Sequence, residues 1–145
     1  MDKPFPYYIL RLREQFARYS DDRLAEMGLT RGLMFFLIYV GKQPGCSPSA
    51  LSAALHADTG HTTRSLDKLV GAGLLLRERR AEDRRGFSLR LTEAGEAALA
   101  HIEGLFDQWE ALALEELPPQ QRADLTGALA GILAYLEKLE GEVHG

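Results

Sequence analysis

Hydrophobic positions first recur at the spacing of a helix. After Pro4-Phe5-Pro6, Ile9, Leu12, Phe16 and Tyr19 follow one another at intervals of 3, 4 and 3, which predicts a helix running to about Met27 and stopped by Gly28. Thr30 is then placed to cap a second helix, apolar nearly all round from Leu33 to Val40 and ending at Gly41; a helix without a polar face belongs at the centre of a fold. Ser47-Pro48 reads as an N-cap followed by proline at the first helical position, opening a short helix through Leu51 and Leu55. His56-Ala57-Asp58 reads as a turn. Asp58 caps a fourth helix from Thr59 to about Ala72, with Leu66, Leu69 and Val70 as its buried stripe, and Gly73 suits the left-handed position that ends it.

The period then drops to two. Leu74 to Glu78 predicts a short strand, and Phe87, Leu89 and Leu91, alternating with Ser88 and Arg90, predict a second. The intervening stretch from Arg79 to Gly86 is too polar to pack and reads as a hairpin tip in solvent. Thr92 caps a long fifth helix to about Leu117, Pro118-Pro119 breaks the chain, and a sixth helix follows from about Gln120 to Leu139. Two heptad seams mark these last helices: Leu99, Ile102, Phe106, Trp109 and Ala113, then Leu125, Leu129, Ile132, Leu136 and Leu139. Such seams want a partner helix rather than a broad core. The expected fold is mainly α with a small β-hairpin: a winged helix-turn-helix over 30–92, flanked by helices over 5–28 and 93–141, in one domain over 1–145.

Composition adds exclusions. The chain has 145 residues, 46% hydrophobic and 26% charged, as an ordinary globular domain does. No apolar run nears the length of a membrane span, and Met1-Asp2-Lys3-Pro4 does not open a secretory signal, so a cytoplasmic location is expected. One cysteine forms no intrachain disulfide, and the histidines have no ligand spacing, so neither metal nor cofactor is expected. No nucleophile, base and oxyanion donor fall together and no phosphate loop follows a strand, which argues against an enzyme.

The net charge of −4 argues at first against nucleic acid, but it is unevenly placed. Residues 64–90 carry 8 Lys/Arg against 4 Asp/Glu, whereas residues 91–145 carry 2 against 11. A local basic field is what steers a polyanion. The basic stretch coincides with the fourth helix and the hairpin tip. Thr59-Gly60-His61-Thr62-Thr63-Arg64 is small, polar and free of acid after its cap, which suits the N-terminal half of a helix laid in a major groove. Arg64 offers a bidentate fork to guanine. Arg79, Arg80, Arg84 and Arg85 at the tip suit phosphates or a narrow minor groove. A winged-helix module for protein contact has no need of four arginines there.

At these residues the sequence resembles a known family. Asp83-Arg84-Arg85, followed by Leu91-Thr92-Glu93-Ala94-Gly95, resembles the wing signature of the multiple-antibiotic-resistance regulators, the MarR family. Arg64-Ser65-Leu66-Asp67-Lys68-Leu69, followed by Gly73-Leu74-Leu75, resembles its recognition helix and the exit from it. The doubled arginine points to the SlyA-like branch. The resemblance spans the chain and implies a homodimer on pseudo-palindromic double-stranded DNA, with 30–92 as the DNA-binding lobe and 5–28 and 93–141 as the dimerisation helices; it implies a repressor or, in the SlyA-like manner, an activator or anti-silencer.

It implies that Arg85 enters the minor groove, that Asp83 orients it, and that Arg64 reads a base. Ser47, Thr59, Gly60, His61, Thr63, Lys68, Arg80 and Arg84 complete the expected DNA contacts. Gly60 departs from the pattern, since that position often bears a side chain, so readout there is expected to be reduced or backbone-mediated. The resemblance also implies a small phenolic or aromatic acid effector between scaffold and lobe, for which Tyr8, Arg11, Phe16 and Tyr39 are the candidates; aromatics at helical spacing are more often plain core. Cys46 directly precedes Ser47, where a helix dipole would lower a thiol's pKa. In the hydroperoxide-sensing branch the reactive cysteine lies on the first helix, which has none here, so Cys46 is read as a bystander.

Overall fold

The computed structural model describes residues 2–81 and 86–144; Glu82, Asp83, Arg84 and Arg85 lie outside the described residues. The elements run α1 (Phe5–Ala25), α2 (Arg31–Lys42), α3 (Pro48–Ala54), α4 (Thr59–Gly71), β1 (Leu75–Arg79), β2 (Phe87–Leu91), α5 (Glu93–Ala113) and α6 (Pro119–His144). Two compact units divide the chain, residues 1–107 and 108–145.

In the first unit the helix starts follow from local capping. Thr30 accepts from the Leu33 N–H at 3.2 Å, Ser47 from Ala50 at 3.1 Å and Asp58 from His61 at 2.6 Å. Each satisfies one of the orphan donors a helix leaves at its start. Thr92 does this for Gly95 at 3.0 Å, while its own O–H donates to the Gly73 carbonyl at 2.6 Å. That second bond ties α5 to the exit from α4. Gly73, at φ +77°, takes the left-handed position that ends α4.

The core forms around α2, whose Met34, Phe36, Leu37 and Val40 meet Leu24 of α1, Leu51 of α3, Leu66 and Leu69 of α4, and Leu89 of β2. β1 and β2 pair antiparallel with Leu75 opposite Leu91 and Arg79 opposite Phe87. One backbone segment extends this hairpin at its base: Cys46 pairs with Leu89, its carbonyl accepting from the Leu89 N–H at 2.9 Å. A Cβ on Gly95 would lie 2.0 Å from the Leu74 carbonyl oxygen, so only glycine lets α5 begin this close to β1.

Several expectations change on packing. Leu99 and Ile102, read as part of a partner-seeking seam, are buried in the chain's own core. Ile9 and Leu12 of α1 stay about half exposed, as the N-terminal half of that helix runs beyond the core. Phe35 is 53% exposed although α2 was expected to be covered all round, and Val70 lies outside the buried stripe of α4.

In the second unit the fifth helix stops at Ala113 instead of Leu117. Arg122 donates to the carbonyls of Leu117 at 2.9 Å and Glu115 at 3.2 Å, satisfying acceptors that a continued helix would have used. Pro119 then takes the first position of α6, where its missing N–H costs nothing. Leu125, Leu129, Ile132, Leu136 and Leu139, the second heptad seam, are all exposed.

Candidate nucleic-acid interface

Two short helices set the geometry. α3 ends with His56 at φ +53°, a left-handed residue that is not glycine. The His56 and Ala57 N–H groups donate back to Ala53 and Ser52, at 3.4 and 3.0 Å, closing a Schellman turn. Asp58 starts α4 two residues later. Across the turn the Ser52 hydroxyl donates to that of Thr62 at 2.7 Å, and Thr62 is 2% exposed. Thr62 therefore faces inward and fixes the two helices to each other; it is the residue of the polar stretch 59–64 that stood outside the expected DNA contacts. A buried hydroxyl pair of this kind is indistinguishable in sequence from two surface polar residues.

The remaining residues of the stretch are exposed. Thr59, Gly60, His61, Thr63, Arg64 and Lys68 all lie on the outer side of α4. Thr63 turns its hydroxyl back to the Thr59 carbonyl at 2.9 Å, and the His61 ring stands edge-on to Phe36, ring centroids 5.6 Å apart. A cleft of about 520 Å³ runs between α3 and α4, lined in part by Ser49, Ser52, His56, Thr59, Thr62 and Thr63. Its hydroxyls and backbone groups suit phosphate oxygens. Ser49 was not singled out in the sequence; its only signal is a polar residue in the first turn of α3. Ser47, half-buried, spends its oxygen lone pair on Ala50 and keeps its O–H as a donor.

The hairpin is held to α4 by Arg77, whose guanidinium meets the Asp67 carboxylate at 2.9 Å. Arg77 and Arg79 both lie against the Phe87 ring, at 5.7 and 5.8 Å from its centroid. Arg80 is exposed, and its N–H donates to the Gly86 carbonyl at 3.0 Å, the last bond of the described hairpin. The expectations placed on Asp83, Arg84 and Arg85 fall on residues outside the described ones.

The Cys46 thiol lacks the lowered pKa that its place before Ser47 suggested. Burial pushes its pKa up, against smaller lowering influences from a backbone hydrogen bond and the Arg80 charge. The thiol is thus a poorer nucleophile than the helix-start argument implied.

The effector candidates each make contacts of their own. Phe16 packs on Phe106 at 6.0 Å, Arg11 pairs with Glu14, the Tyr8 hydroxyl accepts from the Lys3 N–H, and Tyr39 lies against the core. A cavity of about 320 Å³ lies elsewhere, lined by Phe35, Phe36, Leu55, His56 and His61 among others. Among the described residues no cluster of His, Cys, Asp or Glu forms a metal site, and no helix is long and apolar enough to cross a membrane.

Comparison with known proteins bears on this arrangement. Residues 29–87, which hold α2, the helix-turn-helix and β1 and end at the first residue of β2, match the MarR family model. A transcriptional regulator of the helix-turn-helix type, BilQ of Clostridium symbiosum, is 37% identical over 125 residues, 86% of this chain and 87% of its own. BilQ of Clostridioides difficile is 36% identical over 104 residues, 72% of this chain and 70% of its own. Among solved structures, FabT of Streptococcus pneumoniae in complex with DNA superposes with a TM-score of 0.82 at 22% identity, covering 92% of this chain and 96% of FabT.

Proposed function

The chain belongs to the MarR family of DNA-binding transcription regulators, which are not enzymes, and from that premise we propose that it acts as a homodimeric repressor, bound in the cytoplasm to a pseudo-palindromic operator and released by a small aromatic acid. The lobe over 30–92 holds DNA, and the helices over 5–28 and 93–141 join two copies. The observation that carries this reading is the outer face of α4: an exposed row of Thr59, Gly60, His61, Thr63, Arg64 and Lys68, whose one acidic neighbour on the helix, Asp67, is paired with Arg77.

In this reading Arg64 forks to a guanine edge, and Thr59, Gly60, His61 and Thr63 lie against neighbouring bases or sugars. Ser47, Lys68 and Arg80 hold phosphates. By the family resemblance, Arg85, oriented by Asp83, enters the minor groove, and Arg84 is a further DNA contact of the wing. The uncovered apolar residues of α6 supply the surface for a second copy. A two-fold dimer then sets its recognition helices about 34 Å apart, one turn of DNA.

The experiment is selection of genomic fragments by the purified protein, repeated with aromatic acids present. An enriched inverted repeat with half-sites one turn apart, lost in the presence of an effector, is the expected result. Enrichment without any symmetric motif would overturn the operator reading. Linkage supplies a second check, because an effector that weakens operator binding tenfold must itself bind tenfold more weakly to the DNA complex.

A further inference from the structure

Gly60 sits in the first turn of α4 with no left-handed φ, so the backbone there does not require glycine. Glycine is also the poorest helix former after proline. What the missing side chain provides is space, and Arg64 occupies it. A Cβ on Gly60 would lie 3.1 Å from Arg64 Nη1 and 3.9 Å from its Cζ. On a helix a side chain leans toward the N-terminus and covers the residue four positions earlier, which places Arg64 over position 60. An Asp58 carboxylate oxygen lies 3.4 Å from the same point, so an opposite charge flanks the space that the guanidinium enters. Thr63 does not compete for it, its hydroxyl being turned back onto Thr59.

We infer that Gly60 is a specificity-determining position: its bare Cα lets Arg64 deliver its guanidinium at the N-terminal turn of the recognition helix, where Arg64 reads the base pair that a side chain at position 60 would otherwise face. This rests on the proposed role of α4 in DNA and changes what the glycine does there. The N-terminal residues of a recognition helix are the ones that meet base edges. An arginine one turn further in reaches that level only along a cleared path, and its fork needs an unobstructed approach to O6 and N7. Readout at this level is therefore transferred from residue 60 to residue 64, and is not lost.

The test uses the full chain and the operator that the unsubstituted protein selects. Gly60→Ala and Gly60→Val are made alone and together with Arg64→Ala, and affinities are measured for the operator and its single-base variants. Arg64→Ala is expected to relax discrimination about tenfold at one base pair per half-site. Gly60→Val, whose methyl groups fill the space, relaxes the same base pair to a similar degree. Gly60→Ala, which displaces the guanidinium by a fraction of an ångström, relaxes it about threefold. In the Arg64→Ala background neither Gly60 substitution changes preference at that base pair. Alanine and valine are both better helix formers than glycine, so thermal melting holds or rises and folding does not confound the comparison. The inference falls if the Gly60 variants keep full preference there, or alter it equally with and without Arg64. Should Arg64→Ala relax no base pair at all, Arg64 is not a base reader, and both that reading and this inference fall.

Discussion

Arg64 and Lys68 stand one turn apart on the same exposed side of α4, and they are expected to act differently. Arg64→Ala should weaken operator binding by about 1–3 kcal/mol, with the loss concentrated at one base position. Lys68→Ala should weaken all sequences alike and reduce the slope of log affinity against log salt by about 1, since one fewer counterion is released. Titration of operator and scrambled DNA at several salt concentrations separates the two; equal effects on both DNAs from Arg64→Ala would remove its base-reading role. Cys46 carries a prediction of a different kind. Its raised pKa means less thiolate in the folded chain at any given pH, so iodoacetamide should alkylate the native protein more slowly than the urea-unfolded one at pH 8. The sign also requires that this group's contribution to stability be lost as pH rises through the folded pKa. Equal alkylation rates in the two states would contradict the burial.

Between elements, two contacts of similar appearance should have unlike weight. The Ser52–Thr62 bond is partly buried and links the two helices of the motif. Thr62→Val leaves the Ser52 hydroxyl without that partner and should cost about 1–3 kcal/mol of stability, read by urea denaturation. The Arg77–Asp67 pair is open to solvent on its carboxylate side, and Asp67→Asn should cost no more than about 1 kcal/mol. Gly95→Ala belongs with the first kind, because the added carbon would meet a backbone oxygen that has no room to yield; about 1–3 kcal/mol is expected, with a lowered melting temperature. Helix starts were legible in the sequence because a cap is a local bond: Thr30, Ser47, Asp58 and Thr92 all accept the N–H three residues on. The alternation of Phe87, Leu89 and Leu91 likewise announced β2. What stayed hidden depends on distant partners. Nothing near Thr62 in sequence says that Ser52 waits for it, and heptad spacing alone does not say whether Leu99 and Ile102 face their own core or another chain. The polar face of α4 was legible as a row, while the path that Gly60 clears for Arg64 is a matter of side-chain direction.

For the molecule as a whole, the question is what covers the apolar surface that one chain leaves open. In the second compact unit α6 exposes Leu125, Leu129, Ile132, Leu133 and Leu136, each at least 39% accessible; in the first, the start of α1 exposes Phe5, Ile9, Leu10 and Leu12. A monomer rarely leaves apolar patches of this extent in water, and a stable dimer interface buries roughly 1,600 Å². The α6 seam, at intervals of 4, 3, 4 and 3 from Leu125 to Leu139, has the spacing of a helix that packs on another helix. Leu129→Glu combined with Leu136→Glu places two carboxylates in that seam. Neither residue belongs to the core of the single chain, so the helical circular-dichroism signal should persist while association is lost. Light scattering at micromolar concentration should give the mass of two chains for the parent and of one for the variant. Operator affinity should fall by about a hundredfold or more, because the second half-site contact is no longer intramolecular. A variant that stayed dimeric with unchanged operator binding would place the interface elsewhere than on α6.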